Sequence, residues 1–311
     1  MGIEQPPAEL TKGFWMLGTR AYPVYVCRDA EEAAIFEGGI GAVGPVVARQ
    51  LAELGIGAQA VRQIVVTHAH PDHVMAVPQF RRMFPAAAVS ASAVAARTLA
   101  SEKAIALFQQ IDQGLAKAVG SQPPGAVGTA EAPAEPPVKT IAVNRLLEEG
   151  DVVAVGRRRF HVLATPGHSE CSLSFFEPEA RVLVISDATG YYLPERHLWW
   201  PNYFSGYAPY LASIRRLTGL GAEVLCLSHN AALVGAEEIK AYLAGAIAAT
   251  EAYHRRIVEA VRGGQSAGDL AGQLGREAYE LAPVLPLEFF QKNCALLVKQ
   301  SLAAEGLAGE K

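Results

Sequence analysis

The stretch Thr67-His68-Ala69-His70-Pro71-Asp72-His73 constrains this chain more than any other. Three of the 8 histidines in 311 residues fall within six positions there, next to a carboxylate. The run Gln63-Ile64-Val65-Val66 before it reads as a buried strand, and Pro71 ends that strand in a loop. Alternate residues of an extended segment share a direction, so His68 and His70 can reach one ion. Asp72 and His73 follow the turn and can face a second point nearby. Imidazole and carboxylate donors together suit zinc, iron or manganese.

Three more strand-like runs end at polar groups able to join that cluster. They are Thr165-Pro166-Gly167-His168, Ser186-Asp187-Ala188 and Ser228-His229-Asn230. Singly, a histidine or aspartate at a strand end is an ordinary hydrogen-bonding or turn-forming residue. Together with the first motif they supply seven candidate ligands. Rigid sheet ends are where such groups can be held accurately.

These four segments resemble the metallo-β-lactamase superfamily in order and spacing, over most of residues 13–235. Within it the donor set is similar to that of the hydroxyacylglutathione hydrolases, with His73 where β-lactamases carry a cysteine. Tyr22-Pro23-Val24-Tyr25, Phe36-Glu37-Gly38-Gly39-Ile40 and a helical tail are also similar to the quinolone-signal response thioesterases of pseudomonads. The resemblance implies an α+β fold, a four-layer αβ/βα sandwich with its site at one edge. It implies two divalent transition-metal ions (Zn, Fe or Mn), one on His68, His70 and His168, the other on Asp72, His73 and His229, with Asp187 between them. A hydroxide bridging the ions would then attack a carbonyl carbon, oriented by Asp72 as the catalytic carboxylate. A thioester is the expected substrate, or an ester. Mononuclear-iron oxygen chemistry of the persulfide-dioxygenase kind, a lactonase and a non-catalytic signalling protein are the alternatives. Three features depart from the usual superfamily pattern: Glu37-Gly38, Val74-Met75-Ala76 after the first motif, and Ser186 before Asp187.

The rest of the chain sets the frame. Half the residues are hydrophobic, enough for a sizeable core. The net charge is −4 and the basic triplet Arg157-Arg158-Arg159 reads as a solvated turn, so no nucleic-acid partner is expected. No membrane span is expected, because the apolar stretch Ala241–Thr250 is too short. Cysteines 27, 171, 226 and 294 have no redox or metal spacing, which favours a reducing, cytoplasmic setting. The N-terminus carries no charged and apolar targeting pattern. Strands are expected in two blocks, 13–90 and 146–230, with helices over 43–57 and 92–118 and a flexible loop over 120–137. Residues 1–235 read as the catalytic domain and 236–311 as a helical cap of three helices, broken near Gly263-Gly264 and Pro283–Pro286. The cap is expected to cover the site or to form a homodimer interface. The aromatic segment 191–210 offers Tyr191, Tyr192, His197, Trp199 and Trp200 as a substrate pocket for an acyl or aryl group. His161 and His254 read as structural or surface residues.

Overall fold

The computed structural model describes residues 2–120 and 138–307. The first half runs β1 (Gly2–Ile3), β2 (Ala8–Thr11), β3 (Phe14–Gly18), β4 (Pro23–Asp29), β5 (Glu32–Phe36), α1 (Val43–Glu53), β6 (Val61–Val65), α2 (Val77–Met83), β7 (Ala88–Ser92), α3 (Ala93–Leu99), α4 (Glu102–Gly120) and β8 (Arg145–Leu147). The second runs β9 (Val152–Val155), β10 (Arg158–Ala164), β11 (Leu173–Glu177), β12 (Val182–Ser186), β13 (Tyr191–Leu193), β14 (Leu198–Trp200), α5 (Tyr207–Thr218), β15 (Val224–Leu227), β16 (Ala232–Val234), α6 (Ala236–Arg262), α7 (Ala267–Leu281) and α8 (Leu287–Ala304). One sheet has the order β2-β3-β4-β5-β6-β7-β8, the other β1-β16-β15-β12-β11-β10-β9.

The central strands, among them β4, β12 and β15, are buried on both faces, which is why they read as nearly unbroken apolar runs; the outer strands β8, β9 and β10 keep an exposed or half-buried face. In β4, Val24 and Val26 face the helices, while Tyr25 and Cys27 face the opposite sheet. The layer between the sheets is aromatic, with Phe36 and Phe160 ring centroids 4.7 Å apart. Outside the first sheet lie α1 to α4, and outside the second α5 to α8. The expected four-layer α+β sandwich is therefore present.

Differences from the sequence expectation are local. The helical stretch 92–118 is two helices, because serines restart it: Ser92 Oγ accepts from Ala95 N–H at 3.1 Å and Ser101 Oγ from Ala104 N–H at 3.3 Å. The aromatic segment contains the β13–β14 hairpin and the start of α5. The short β1 and β2 precede the first expected strand. The loop expected to end at Pro137 lies, past the end of α4, outside the described residues.

The cap breaks where its glycines and prolines predict, giving α6, α7 and α8. Its buried residues do not form a core of their own. Leu274, Leu297 and Leu302 share one cluster with Leu183, Ile185 and Leu225 of the second sheet. Cap and sandwich should therefore unfold together. Leu297→Ala, at a fully buried position, is expected to cost about 2–5 kcal/mol. Denaturant unfolding followed by tryptophan fluorescence and by circular dichroism should give one coincident, destabilised transition. A separate early transition of the helical signal alone would show an independent cap.

Candidate metal centre

Every expected ligand follows the C-terminal end of a strand: β6 leads to His68–His73, β10 to His168, β12 to Asp187 and β15 to His229. β12 pairs parallel with β15, and β5 parallel with β6, so these ends meet at one edge of the sandwich. Two cross-sheet hydrogen bonds lock the edge: Leu173 N–H to Thr67 O at 2.9 Å, and Tyr25 O–H to Leu227 O at 2.5 Å.

Four imidazoles are each anchored through Nδ1. His68 Nδ1 lies 3.1 Å from Ser186 Oγ, His73 Nδ1 2.8 Å from Glu37 Oε2, His168 Nδ1 2.9 Å from Asn202 O, and His229 Nδ1 2.8 Å from Ala21 O. Each anchor aims Nε2 inward. His70 is turned the other way: its Nδ1 lies 3.1 Å from His68 Nε2 and 2.9 Å from His168 Nε2. Asp187 Oδ2 completes this group at 3.7 Å from His68 Nε2 and 3.2 Å from His168 Nε2. The same oxygen is 3.3 Å from His73 Nε2, and Asp187 Oδ1 is 3.6 Å from His229 Nε2. Asp72 Oδ2 stands 3.4 Å from His73 Nε2 and 3.5 Å from His229 Nε2. Ser228 O–H donates to Asp187 Oδ1.

The seven side chains thus fall into two donor groups that share Asp187. With metal–nitrogen bonds of ~2.0–2.1 Å, ligand atoms around a tetrahedral ion sit about 3.3 Å apart, close to these spacings. His73 Nε2 is buried with no hydrogen-bond partner, although two carboxylate oxygens stand near it. A hydrogen-bonded core histidine would not be left so; a metal ligand would. The donor set fits first-row divalent ions.

Electrostatics divide the imidazoles. Burial, reinforced by neighbouring imidazoles, holds His68 well below the usual histidine range and His70 at about 3. Burial also lowers His168. His73 goes the other way: burial would lower it, but Asp72, Glu37 and Asp187 outweigh burial and raise it well above normal. Burial would likewise raise Asp72 and Asp187, yet His73, with His229 beside Asp72 and His168 beside Asp187, holds both below the usual carboxylate range.

Above the ligands lies a cavity of about 330 Å³. Tyr191 and Trp200 line it; Tyr192, His197 and Trp199 do not. The reason is strand alternation. Tyr191 pairs with Trp200 across the hairpin and Tyr192 with Trp199, so the second pair faces away, onto Tyr242 of α6. His197 is exposed at the hairpin tip, with Nδ1 3.2 Å from Tyr192 Oη. The expectation of a pocket role for these three is corrected accordingly.

The sequence reading missed the anchors. Glu37 and Ser186, both noted as departures, hold His73 and His68. Both have positive φ, +80° and +49°, as the chain leaves β5 and β12. Gly38 follows Glu37 so closely under His73 that a Cβ there would lie 2.4 Å from the His73 carbonyl oxygen. Tyr22 also lines the cavity, its ring edge-on to His229 at 5.5 Å.

The metallo-beta-lactamase superfamily model matches residues 17–229, a span that begins in β3 and ends on His229. The chain belongs to the metallo-β-lactamase superfamily. Superfamily members are generally hydrolases, and the His/Asp cluster is a candidate divalent-metal centre of that type. The chain is 31% identical over 156 residues to the acyl-coenzyme A thioesterase MBLAC2 of Gallus gallus, a match covering 50% of each. It thus spans about half the length of that curated relative. Among solved structures, the metallo-beta-lactamase family protein TTHA1429 from Thermus thermophilus is 23% identical, with a TM-score of 0.66 over 96% of this chain and 95% of that one. The subclass B3 enzyme BJP-1 of Bradyrhizobium japonicum is 18% identical, with a TM-score of 0.57 over 84% of this chain and 97% of that one. At these identities the two structures bear on the superfamily fold alone. The superfamily span stops before the cap helices.

The charge pattern predicts how a metal loads. At neutral pH His68, His70 and His168 are already neutral and Asp72 and Asp187 already ionised, whereas His73 carries a proton that a ligating Nε2 must lose. Zinc uptake at pH 7 should release the His73 proton, and that release should fall as pH rises through the His73 value. Calorimetry in buffers of different ionisation enthalpy measures this. Zinc uptake with no proton release would contradict the assignment of His73. Glu37→Gln, which removes the anchoring charge, should weaken zinc binding roughly 10- to 100-fold.

Proposed function

We propose that the protein is a divalent-metal-dependent hydrolase of thioesters, acting more slowly on esters. The observation that carries this is the pair of donor groups beneath an apolar cavity, with Asp187 in the first and within 3.3–3.6 Å of His73 and His229 of the second. Two divalent ions, zinc, iron or manganese, would be held by His68, His70 and His168 and by Asp72, His73 and His229, with Asp187 serving both. When bound, such ions supply Lewis acidity at a carbonyl oxygen and an activated water at neutral pH.

The protein's own groups do the rest. Asp72, partly exposed at the cavity floor and held ionised by His73 and His229 against the effect of burial, would orient the attacking water and accept its proton. Tyr191 and Tyr22 flank His229 with phenols that burial keeps protonated. Asn202 holds His168 through its carbonyl and lines the cavity. No histidine, aspartate or glutamate outside the donor groups lines the cavity among the described residues. That suits a leaving group needing little protonation, and a thiolate is a weaker base than an alkoxide. The likeness to an acyl-coenzyme A thioesterase supports the same reading.

A panel of acyl-coenzyme A, acyl-glutathione, lactone and phosphodiester substrates, with zinc, manganese or iron(II), tests it. Thioesters should be cleaved fastest. Lactones or phosphodiesters outrunning every thioester by about tenfold, ~1.4 kcal/mol in barrier, would refute the assignment. Asp187→Asn should lower thioester hydrolysis ~10²-fold or more and release at least one ion. Full activity and full metal content in that variant would show that Asp187 does not serve both groups.

A further inference from the structure

We propose that the cavity between α4 and the cap is an acyl subsite that takes a neutral, apolar acyl or aryl group of moderate size and leaves an anionic carrier outside. This deepens the thioesterase reading and rests on it. Pockets for small ligands span roughly 300–1,000 Å³, so a volume of about 330 Å³ is modest. The proposed ligands form its floor. One wall is a single face of α4, with Phe108, Ile111 and Leu115 at helical spacing. The facing wall is Leu285, Phe289 and Phe290, from the α7–α8 connection and the start of α8.

Charge decides what fits between those walls. Among the described lining residues there is no lysine or arginine. A carboxylate or phosphate on the acyl group would lose its water there and find no side-chain cation. The phosphates of a coenzyme A carrier, or the carboxylates of glutathione, must therefore stay at the mouth, where Leu296 is 39% exposed.

Leu285 controls the width. It is held between Pro283 and Pro286 and packs against both helix-side clusters. Opposite it, α4 carries Gly114, where even a Cβ would come within 3.3 Å of Leu285 Cδ2. The two walls come close to each other there, and we take this narrowing as the bound on chain length.

The test uses non-hydrolysable S-alkyl coenzyme A thioethers, so binding is read apart from cleavage. Affinity of the zinc-loaded protein should rise about fourfold per methylene from methyl to octyl and gain little from octyl to hexadecyl. An S-(3-carboxypropyl) thioether should bind at least about tenfold more weakly than S-butyl. Leu285→Trp should shrink the octyl-to-methyl affinity ratio about tenfold or more, and Leu285→Ala should extend the rise beyond octyl. A flat length series, equal binding of the carboxypropyl and butyl thioethers, or no binding at any length would overturn the subsite. The expected length series with no thioester cleaved by the same zinc-loaded protein would instead refute the thioesterase reading and leave the subsite standing.

Discussion

The site depends on the bond that four of its five imidazoles make through Nδ1. A strand end can place a histidine to within a residue, but the ring still rotates. Glu37, Ser186, Asn202 and Ala21 remove that freedom for His73, His68, His168 and His229. With Nδ1 engaged, Nε2 is the atom left to face inward, and an oriented ring loses no entropy on taking up an ion. The four anchors come from different parts of the chain, so the whole sandwich must form before the donors converge. Parallel pairing of β5 with β6 brings Glu37 beside His73, while Ser186 reaches His68 from the opposite sheet.

Charge follows from the same geometry. Packing five imidazoles together would be costly if all were protonated, and burial keeps three of them neutral. His73, between Glu37, Asp72 and Asp187, is the one those carboxylates hold protonated. The arrangement is a compromise that a divalent ion resolves, since it can replace that proton and neutralise the surrounding carboxylates.

How much of this could be read in the sequence varies with the range of the signal. The first histidine motif is dense and follows a β-branched strand, so it was legible. The central sandwich strands were legible because burial on both faces makes them nearly continuously apolar. The cap helices were legible from Gly263-Gly264 and Pro283–Pro286. The anchors were not. Glu37 and Ser186 matter because left-handed backbone turns aim them across the sheet edge, and nothing in a linear pattern reports that aim. The aromatic segment failed for a related reason. Pro194 and the 3₁₀ turn after it hide a hairpin whose alternation separates Tyr191 and Trp200 from Tyr192 and Trp199. The apolar face of α4 had helical periodicity, yet its meeting with Leu285 depends on the tertiary fold.

On the reading proposed above, two ions would be held in two donor groups sharing one carboxylate. Anomalous diffraction at the absorption edge of the bound metal, on crystals of protein purified without chelators, tests it most directly. The account predicts two peaks, one among His68, His70 and His168 and one among Asp72, His73 and His229, with Asp187 reaching both. A single peak, with His73 and His229 away from it and hydrogen-bonded within the protein, would contradict it.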